Sequence, residues 1–89
     1  MQKYQYRWVP APLVKDLHPN GERWELQSLA ASPGYWQYEG RVCRQETYDG
    51  TITHYTSEAG THFSMRRSAV ALMSLAVRRN FRIDRQLGR

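Results

Sequence analysis

The segment 64–82 constrains the fold more than any other stretch, because it carries the strongest helix pattern in the chain. At about 100° per residue, its apolar residues share one face of a helix. These residues are Met65, Ala69, Leu72, Met73 and Ala76. Ser64 is suited to cap the helix N-terminus, and Asn80 tolerates the left-handed conformation that often ends a helix. In a chain of 89 residues, such a helix needs a sheet to cover.

Arginines are predicted to gather on the opposite side of this helix. Four of them fall within roughly 60° of one another, and Arg79 lies at the edge of the set. The four are Arg67, Arg78, Arg82 and Arg85, the last two only if the helix continues past Asn80. Guanidinium groups suit phosphate and carboxylate, so we expect a binding surface here. Alternatively, these arginines only complement the helix dipole and keep the protein soluble.

The net charge of +5 is distributed unevenly along the chain. Residues 1–63 hold six Lys and Arg against seven acidic residues, whereas residues 64–89 hold seven Arg against Asp84 alone. A concentrated positive field attracts nucleic acid, an anionic surface or an acidic protein patch.

Period-2 alternation predicts strands over residues 3–9 and 23–29, and a long third strand over 35–48 with a bulge at Gly40. Residues 10–21 are predicted to form a loop, with a helical turn possible at 13–17. The alternation is expected to turn aromatic and aliphatic side chains toward the helix as core. They are Tyr4, Tyr6, Trp8, Trp24, Leu26, Trp36 and Tyr38.

The pair Asp49-Gly50 predicts a two-residue type I′ hairpin between the third strand and a fourth. This register places Arg44 opposite Tyr55, close enough for a cation–π contact. The tip around Tyr48 is polar on both sides and is expected to project beyond the core. Residues 57–62 are predicted to connect the fourth strand to the helix.

The predicted fold is α+β: an antiparallel β-meander of about four strands with one C-terminal amphipathic helix on one face, in a single small domain over residues 1–89. One helix covers one face of a sheet, so aromatics that alternate to the other face become candidate contacts. The meander also leaves two free edges, and homodimerisation therefore stays open.

No residue pattern indicates catalysis or a cofactor. The histidines have no characteristic spacing to a nucleophile, and with Cys43 they match no metal motif. A lone cysteine, together with the lack of a signal-like or membrane-spanning stretch, favours a cytoplasmic protein that does not act at a membrane. We therefore expect a binding protein rather than an enzyme.

Two partners fit the pattern. The slightly favoured one is nucleic acid, and the alternative is an acidic surface of a larger protein, which this chain would regulate or inhibit, for instance a nucleic-acid-processing complex of a host. The predicted contacts are Arg44, Tyr48, Arg67, Arg78, Arg79, Arg82 and Arg85. Nucleic acid requires a continuous basic track, whereas a protein partner requires an apolar centre within a basic rim.

Overall fold

The computed structural model describes residues 3–10 and 23–88, and these residues form one antiparallel sheet and one helix. The strands are β1 (Tyr4–Pro10), β2 (Arg23–Ala30), β3 (Trp36–Glu46), β4 (Ile52–Thr56) and β5 (Gly60–His62), and the helix is α1 (Met65–Gln86). Neighbours in sequence are neighbours in the sheet, which is a meander. The α+β prediction is confirmed. The predicted loop lies outside the described residues from residue 11 onward, together with the possible helical turn at 13–17.

The sheet has a fifth strand where the sequence predicted only a connection. His62 pairs with His54, and Gly60 with Thr56, across a tight turn. In that turn the Thr56 Oγ1 accepts a hydrogen bond from the Ala59 amide at 2.6 Å. Three residues are too few for alternation to reveal a strand, so β5 had no detectable pattern.

The hairpin between β3 and β4 differs from the prediction by one residue in register. Arg44 lies opposite His54, and Tyr55 lies opposite Cys43, so the predicted pairing of Arg44 with Tyr55 is wrong. A type I′ turn needs positive φ at both central residues, but within the described residues only glycines have positive φ. The loop therefore contains three residues, 48–50, and closes with a 2.7 Å bond from the Thr47 amide to the Thr51 carbonyl.

The Asp49 carboxylate stabilises this three-residue loop. It accepts hydrogen bonds from the Thr47 hydroxyl and, at 3.0 Å, from the Thr51 amide. These bonds lower the pKa of Asp49 to about 2, the Thr47 hydroxyl contributing most. Asp49, which suggested a two-residue type I′ turn, instead stabilises a loop of three residues.

The predicted bulge at Gly40 is present and determines which face each side chain of β3 occupies. Leu26 pairs with Gly40, but the next residue of β2, Gln27, pairs with Tyr38, so Glu39 is the extra residue. Gly40 has φ of 152°, and a Cβ there would lie 2.7 Å from the Leu72 side chain. Glycine is therefore needed where the helix approaches the strand.

The bulge also corrects the predicted core. Because it shifts the alternation, Trp36 and Tyr38 lie on the sheet face opposite to Val42 and the helix. Tyr38 is 53% exposed, and the expectation that both rings pack under the helix is wrong. The buried cluster consists of Leu26, Val42, Leu72 and Ala76, with Tyr6, Trp8, Met65 and Met73 packed around it.

The other predictions for the inner face are confirmed. Trp24 is half-buried and lines a small apolar cavity with Trp8 and Met65. Along β1, the aromatic side chains at positions 4, 6 and 8 are half-buried. The polar side chains at positions 3, 5 and 7 are exposed.

The helix begins as predicted and continues further than Asn80. The Ser64 hydroxyl accepts a hydrogen bond from the Arg67 amide at 3.1 Å, which confirms the N-cap. Asn80 is only 6% exposed and lies within the helix, which ends at Gln86 and is followed by Gly88 with φ of 71°. This extra length carries Arg82 and Arg85 on the exposed side of α1 together with Arg78.

Candidate functional site

The buried line of α1 is apolar at its centre and polar at both ends, with two polar residues toward the C-terminus. Its members recur every four residues: Ser68, Leu72, Ala76, Asn80 and Asp84. The buried polar groups need hydrogen-bond partners, and they find them on the sheet.

Glu39, the extra residue of the bulge, is the centre of these contacts. Its Oε1 accepts a hydrogen bond from the Ser28 hydroxyl at 2.8 Å and one from the Asn80 amide at 3.4 Å. Its Oε2 forms an ion pair with Arg79, which also donates to the Glu39 carbonyl at 3.2 Å. Arg79 therefore holds the helix against β3, and its charge is paired with that of Glu39.

Two tyrosines of β1 continue this contact toward the end of the helix. The Asn80 amide donates to the Tyr6 hydroxyl at 3.2 Å, and the Tyr4 hydroxyl donates to Asp84 at 2.9 Å. The C-terminal half of α1 is thus held over the sheet mainly by directed polar bonds. Such bonds determine its orientation and the positions of the arginines it carries.

A groove of about 520 Å³ runs beside this part of the helix. We name it the arginine groove; it is lined by Glu58, Leu72, Leu75, Arg78, Arg79 and Arg82. Arg78 and Arg82 are exposed, and the Arg78 Nε donates to the Ser74 carbonyl of its own helix at 3.2 Å. Glu58 reaches the groove from the turn between β4 and β5.

The sheet face away from the helix carries stacked guanidinium and aromatic groups. The Arg7 guanidinium carbon lies 3.9 Å from the centroid of the Trp36 ring, and that of Arg41 lies 5.5 Å from the Tyr38 ring. Arg7 is held by a 2.8 Å hydrogen bond to Gln27. We name Arg7, Trp36, Tyr38 and Arg41 the aromatic platform.

The aromatic platform lies on the sheet face away from the helix, whereas the arginine groove lies beside the helix, and Glu58 of the groove approaches β3 at Gly40. Burial raises the pKa of Tyr38, and the nearby charge of Glu58, a groove residue, adds to this effect. In the described sheet β4 pairs with β3 only along Cys43–Glu46. The preceding half of β3, which carries the platform rings, has no described strand partner on that side.

The structure brings together three of the seven predicted contact residues. Arg78, Arg79 and Arg82 share the arginine groove. Arg67 lies in a separate depression near the helix N-terminus, about 22 Å along the helix axis from Arg82 at 1.5 Å per residue. Arg85 is exposed and lines neither of these surfaces.

The two predicted hairpin contacts lie elsewhere in the described structure. Tyr48 is fully exposed at the tip of the loop. Arg44 is half-buried within β3, opposite His54. Neither residue lines the arginine groove or belongs to the aromatic platform.

The sequence did not indicate five further residues of this surface: Arg7, Trp36, Tyr38, Arg41 and Glu58. Gly40 was the available signal, because a bulge reverses the faces of the residues before it. Applying that reversal to residues 36–39 would have placed the two rings on the uncovered face. Glu58 had no signal, since it lies in a turn whose position depends on β5.

The exposed side of α1 also carries an apolar pair. Val77 is 44% exposed and Phe81 is 49% exposed, one helical turn apart. Arg78, Arg82 and Arg85 are exposed on the same stretch of helix. This is a small apolar centre with basic neighbours.

Among the described residues no three His, Cys, Asp or Glu side chains are grouped to hold a metal ion. In the same part of the chain, no helix has the length and apolar character needed to cross a membrane. Comparisons with protein-family models, curated proteins and solved structures found no significant match. Function must therefore be inferred from the geometry of the surface itself.

Proposed function

We propose that this chain binds single-stranded nucleic acid along the arginine groove and the aromatic platform. One observation supports this most: the same small domain carries a half-exposed Tyr38 ring and a Trp36 ring stacked under Arg7 on one sheet face, and a groove lined by three arginines beside the helix. Proteins that bind single strands combine a basic groove for the backbone with aromatic side chains on which bases stack. The proposed role is binding rather than catalysis, in the cytoplasm.

Each part of the surface has a distinct contribution. Arg78 and Arg82 are exposed and available for phosphate, whereas Arg79 is occupied by Glu39. The Tyr38 ring is half-exposed beside Arg41, and Arg7, which is stacked on Trp36, offers a guanidinium plane on which a base also stacks. Bases must be unstacked to reach these groups, which favours a single strand over a duplex.

Filter binding of a mixed-sequence 12-nucleotide DNA or RNA strand across a salt series tests the proposal. The variant Arg78→Glu/Arg82→Glu should lose at least tenfold in affinity, and wild-type binding should weaken steeply as salt rises. The matched control is Arg66→Glu/Arg67→Glu, which changes the same charge on exposed residues of the same helix, away from the groove. Equal losses of affinity in the two variants would show that binding depends on the net charge of the protein and not on the arginine groove.

A docking site for an acidic protein is the second candidate, supported by Val77 and Phe81 among the exposed arginines. Here the partner should survive nuclease treatment in a pull-down, and Phe81→Ser should abolish its capture. The same variant should leave binding of the 12-nucleotide strand unchanged, because Phe81 lines neither the arginine groove nor the aromatic platform. A nuclease-sensitive capture would eliminate this candidate.

A further inference from the structure

We infer that Gln27 is the positioning residue of the aromatic platform. Its side-chain amide holds the guanidinium of Arg7 directly and that of Arg41 through Glu25. Both guanidinium groups lie over platform rings, where a base would stack beside them. The inference rests on the proposed function and assigns a role in base binding to a side chain that does not itself stack.

The register of the sheet places Gln27 at the centre of the platform. Gln27 lies opposite Arg7 in β1 on one side and opposite Tyr38 in β3 on the other. Residues directly opposite in neighbouring strands have their side chains on one sheet face, and so do residues two apart in one strand. The Gln27 amide is therefore within reach of Arg7 and of Glu25, which precedes it in β2.

The Gln27 amide uses both of its polar atoms. Its Oε1 accepts a 2.8 Å hydrogen bond from the Arg7 Nε, and its Nε2 donates a 2.6 Å hydrogen bond to Glu25 Oε2. The other oxygen of Glu25 forms an ion pair with the Arg41 Nε at 3.5 Å. One chain of contacts thus joins the two guanidinium groups of the platform.

Arg7 leans away from its own row of the sheet. Its guanidinium carbon lies 3.9 Å from the ring centroid of Trp36, although the register sets Trp36 opposite Leu29 and not in line with Gln27. The bond to Gln27 holds the side chain in this conformation. An exposed arginine otherwise samples many rotamers, so ordering it before the ligand arrives reduces the entropy lost on binding.

Both arginines are held through Nε, and this leaves their terminal nitrogens to the ligand. All but one of the N–H donors of a guanidinium are on these terminal nitrogens. They suit a phosphate or the acceptor edge of a base. The contacts of Gln27 therefore order the two side chains without using the groups that bind.

Filter binding of the mixed-sequence 12-nucleotide strand measures the effect of Gln27→Leu, which keeps a similar volume and removes both contacts of the amide. We expect affinity to fall about tenfold, because Arg7 and Arg41 lose their fixed positions. The matched control is Gln45→Leu, which changes another half-buried glutamine of the sheet outside the platform and should keep wild-type affinity. Thermal unfolding of both variants checks that the fold persists.

The double variant Glu25→Gln/Gln27→Glu tests for rescue at unchanged net charge. The exchange preserves the chain of contacts, because the carboxylate at position 27 accepts from Arg7 and from the amide at position 25. Affinity should therefore stay within about twofold of the wild type, unlike that of Gln27→Leu.

Heteronuclear NMR of the arginine Nε–H groups provides a readout that needs no ligand. The Arg7 Nε–H should exchange slowly with water in the wild type and in the double variant, and rapidly in Gln27→Leu. Arg7→Lys, which removes the group, assigns the signal.

The outcomes separate this inference from the proposed function. Wild-type affinity in Gln27→Leu, a loss that the double variant shares, or rapid exchange of the Arg7 Nε–H in the wild type would overturn the role of Gln27 and leave single-strand binding in place. Absence of binding by the wild type at low salt would overturn both. A loss of affinity confined to Gln27→Leu, together with rapid exchange there, would support both.

Discussion

The two halves of α1 are attached to the same sheet by different kinds of contact. In the first half, taken as Met65–Ala76, Leu72 and Ala76 bury apolar surface against Leu26 and Val42, and one polar bond runs from the Ser68 hydroxyl to the His54 carbonyl. In the second half, Asn80 and Asp84 make hydrogen bonds to tyrosines of β1, and Arg79 pairs with Glu39. Apolar burial is non-directional and provides most of the stability, whereas hydrogen bonds have strict geometry and a small net free energy. The first half therefore stabilises the fold, and the second half positions the arginine groove.

Leu72→Asp should have the largest effect, because it places an unpaired charge in the apolar half. Leu72 is 1% exposed. A buried charge without a partner typically costs more than about 4 kcal/mol, enough to unfold a small domain. Circular dichroism should show loss of the native signal.

Val70→Asp is the matched control for this variant, because Val70 is exposed on the same helix. It should change the unfolding midpoint little. A folded Leu72→Asp variant would mean that the apolar half is not the main source of stability.

Glu39→Gln should have the next largest effect and lower the free energy of unfolding by about 1–3 kcal/mol. The substitution places an amide donor next to the Arg79 guanidinium, which is also a donor, in the polar half. The bonds that Oε1 accepts from Ser28 and Asn80 remain possible. Urea unfolding measures the loss, and a double-mutant cycle with Arg79→Gln isolates the coupling between the pair. A coupling free energy of zero would show that Arg79 does not help to hold the helix on the sheet.

Tyr4→Phe should cost less, about 1 kcal/mol, since it removes one hydroxyl that donates to Asp84. Its effect should be local. Hydrogen exchange should accelerate at helix amides around 84–87 and stay unchanged around Leu72 and Ala76, because the halves open separately. Uniform acceleration along the helix would show that both halves unfold together.

Asp49→Asn should have the smallest effect, since the hairpin loop lies outside both halves. The pKa of Asp49 is lowered to about 2 from its ordinary value of 3.8, so the charged side chain stabilises the fold above pH 3.8. That contribution disappears as the pH falls through about 2. Urea midpoints measured between pH 2 and pH 5 should fall more with acidification in the wild type than in the variant. Identical curves would mean that the loop bonds add nothing.

The periodicity of the sequence was sufficient to predict the fold class, the start of the helix at Ser64 and the first three strands. These features depend on local patterns that extend over several residues. The hairpin register failed because two turns compete for Asp49-Gly50, and the Thr47 and Thr51 contacts that favour the longer loop are side-chain interactions. Asn80 was misinterpreted because its buried partners, Tyr6 and Glu39, are distant in sequence.

The candidate site was predictable only along the helix. Helical spacing correctly grouped Arg78 and Arg82 on the exposed side. The aromatic platform depends on a single bulge, and one residue of shift moves every preceding side chain of the strand to the other face. The position of Glu58 depends on contacts between a turn, Gly40 and Leu72, which no local pattern encodes.

The three tryptophans occupy two environments, and this gives the protein separate intrinsic optical reporters. Trp8 and Trp24 line the cavity beside Met65, under the start of the helix, so their emission follows unfolding. Trp36 lies on the opposite face beneath Arg7, where a stacked base would quench it. A Trp8→Phe/Trp24→Phe protein would retain Trp36 as its only indole, and its emission would follow occupancy of the aromatic platform without an added label.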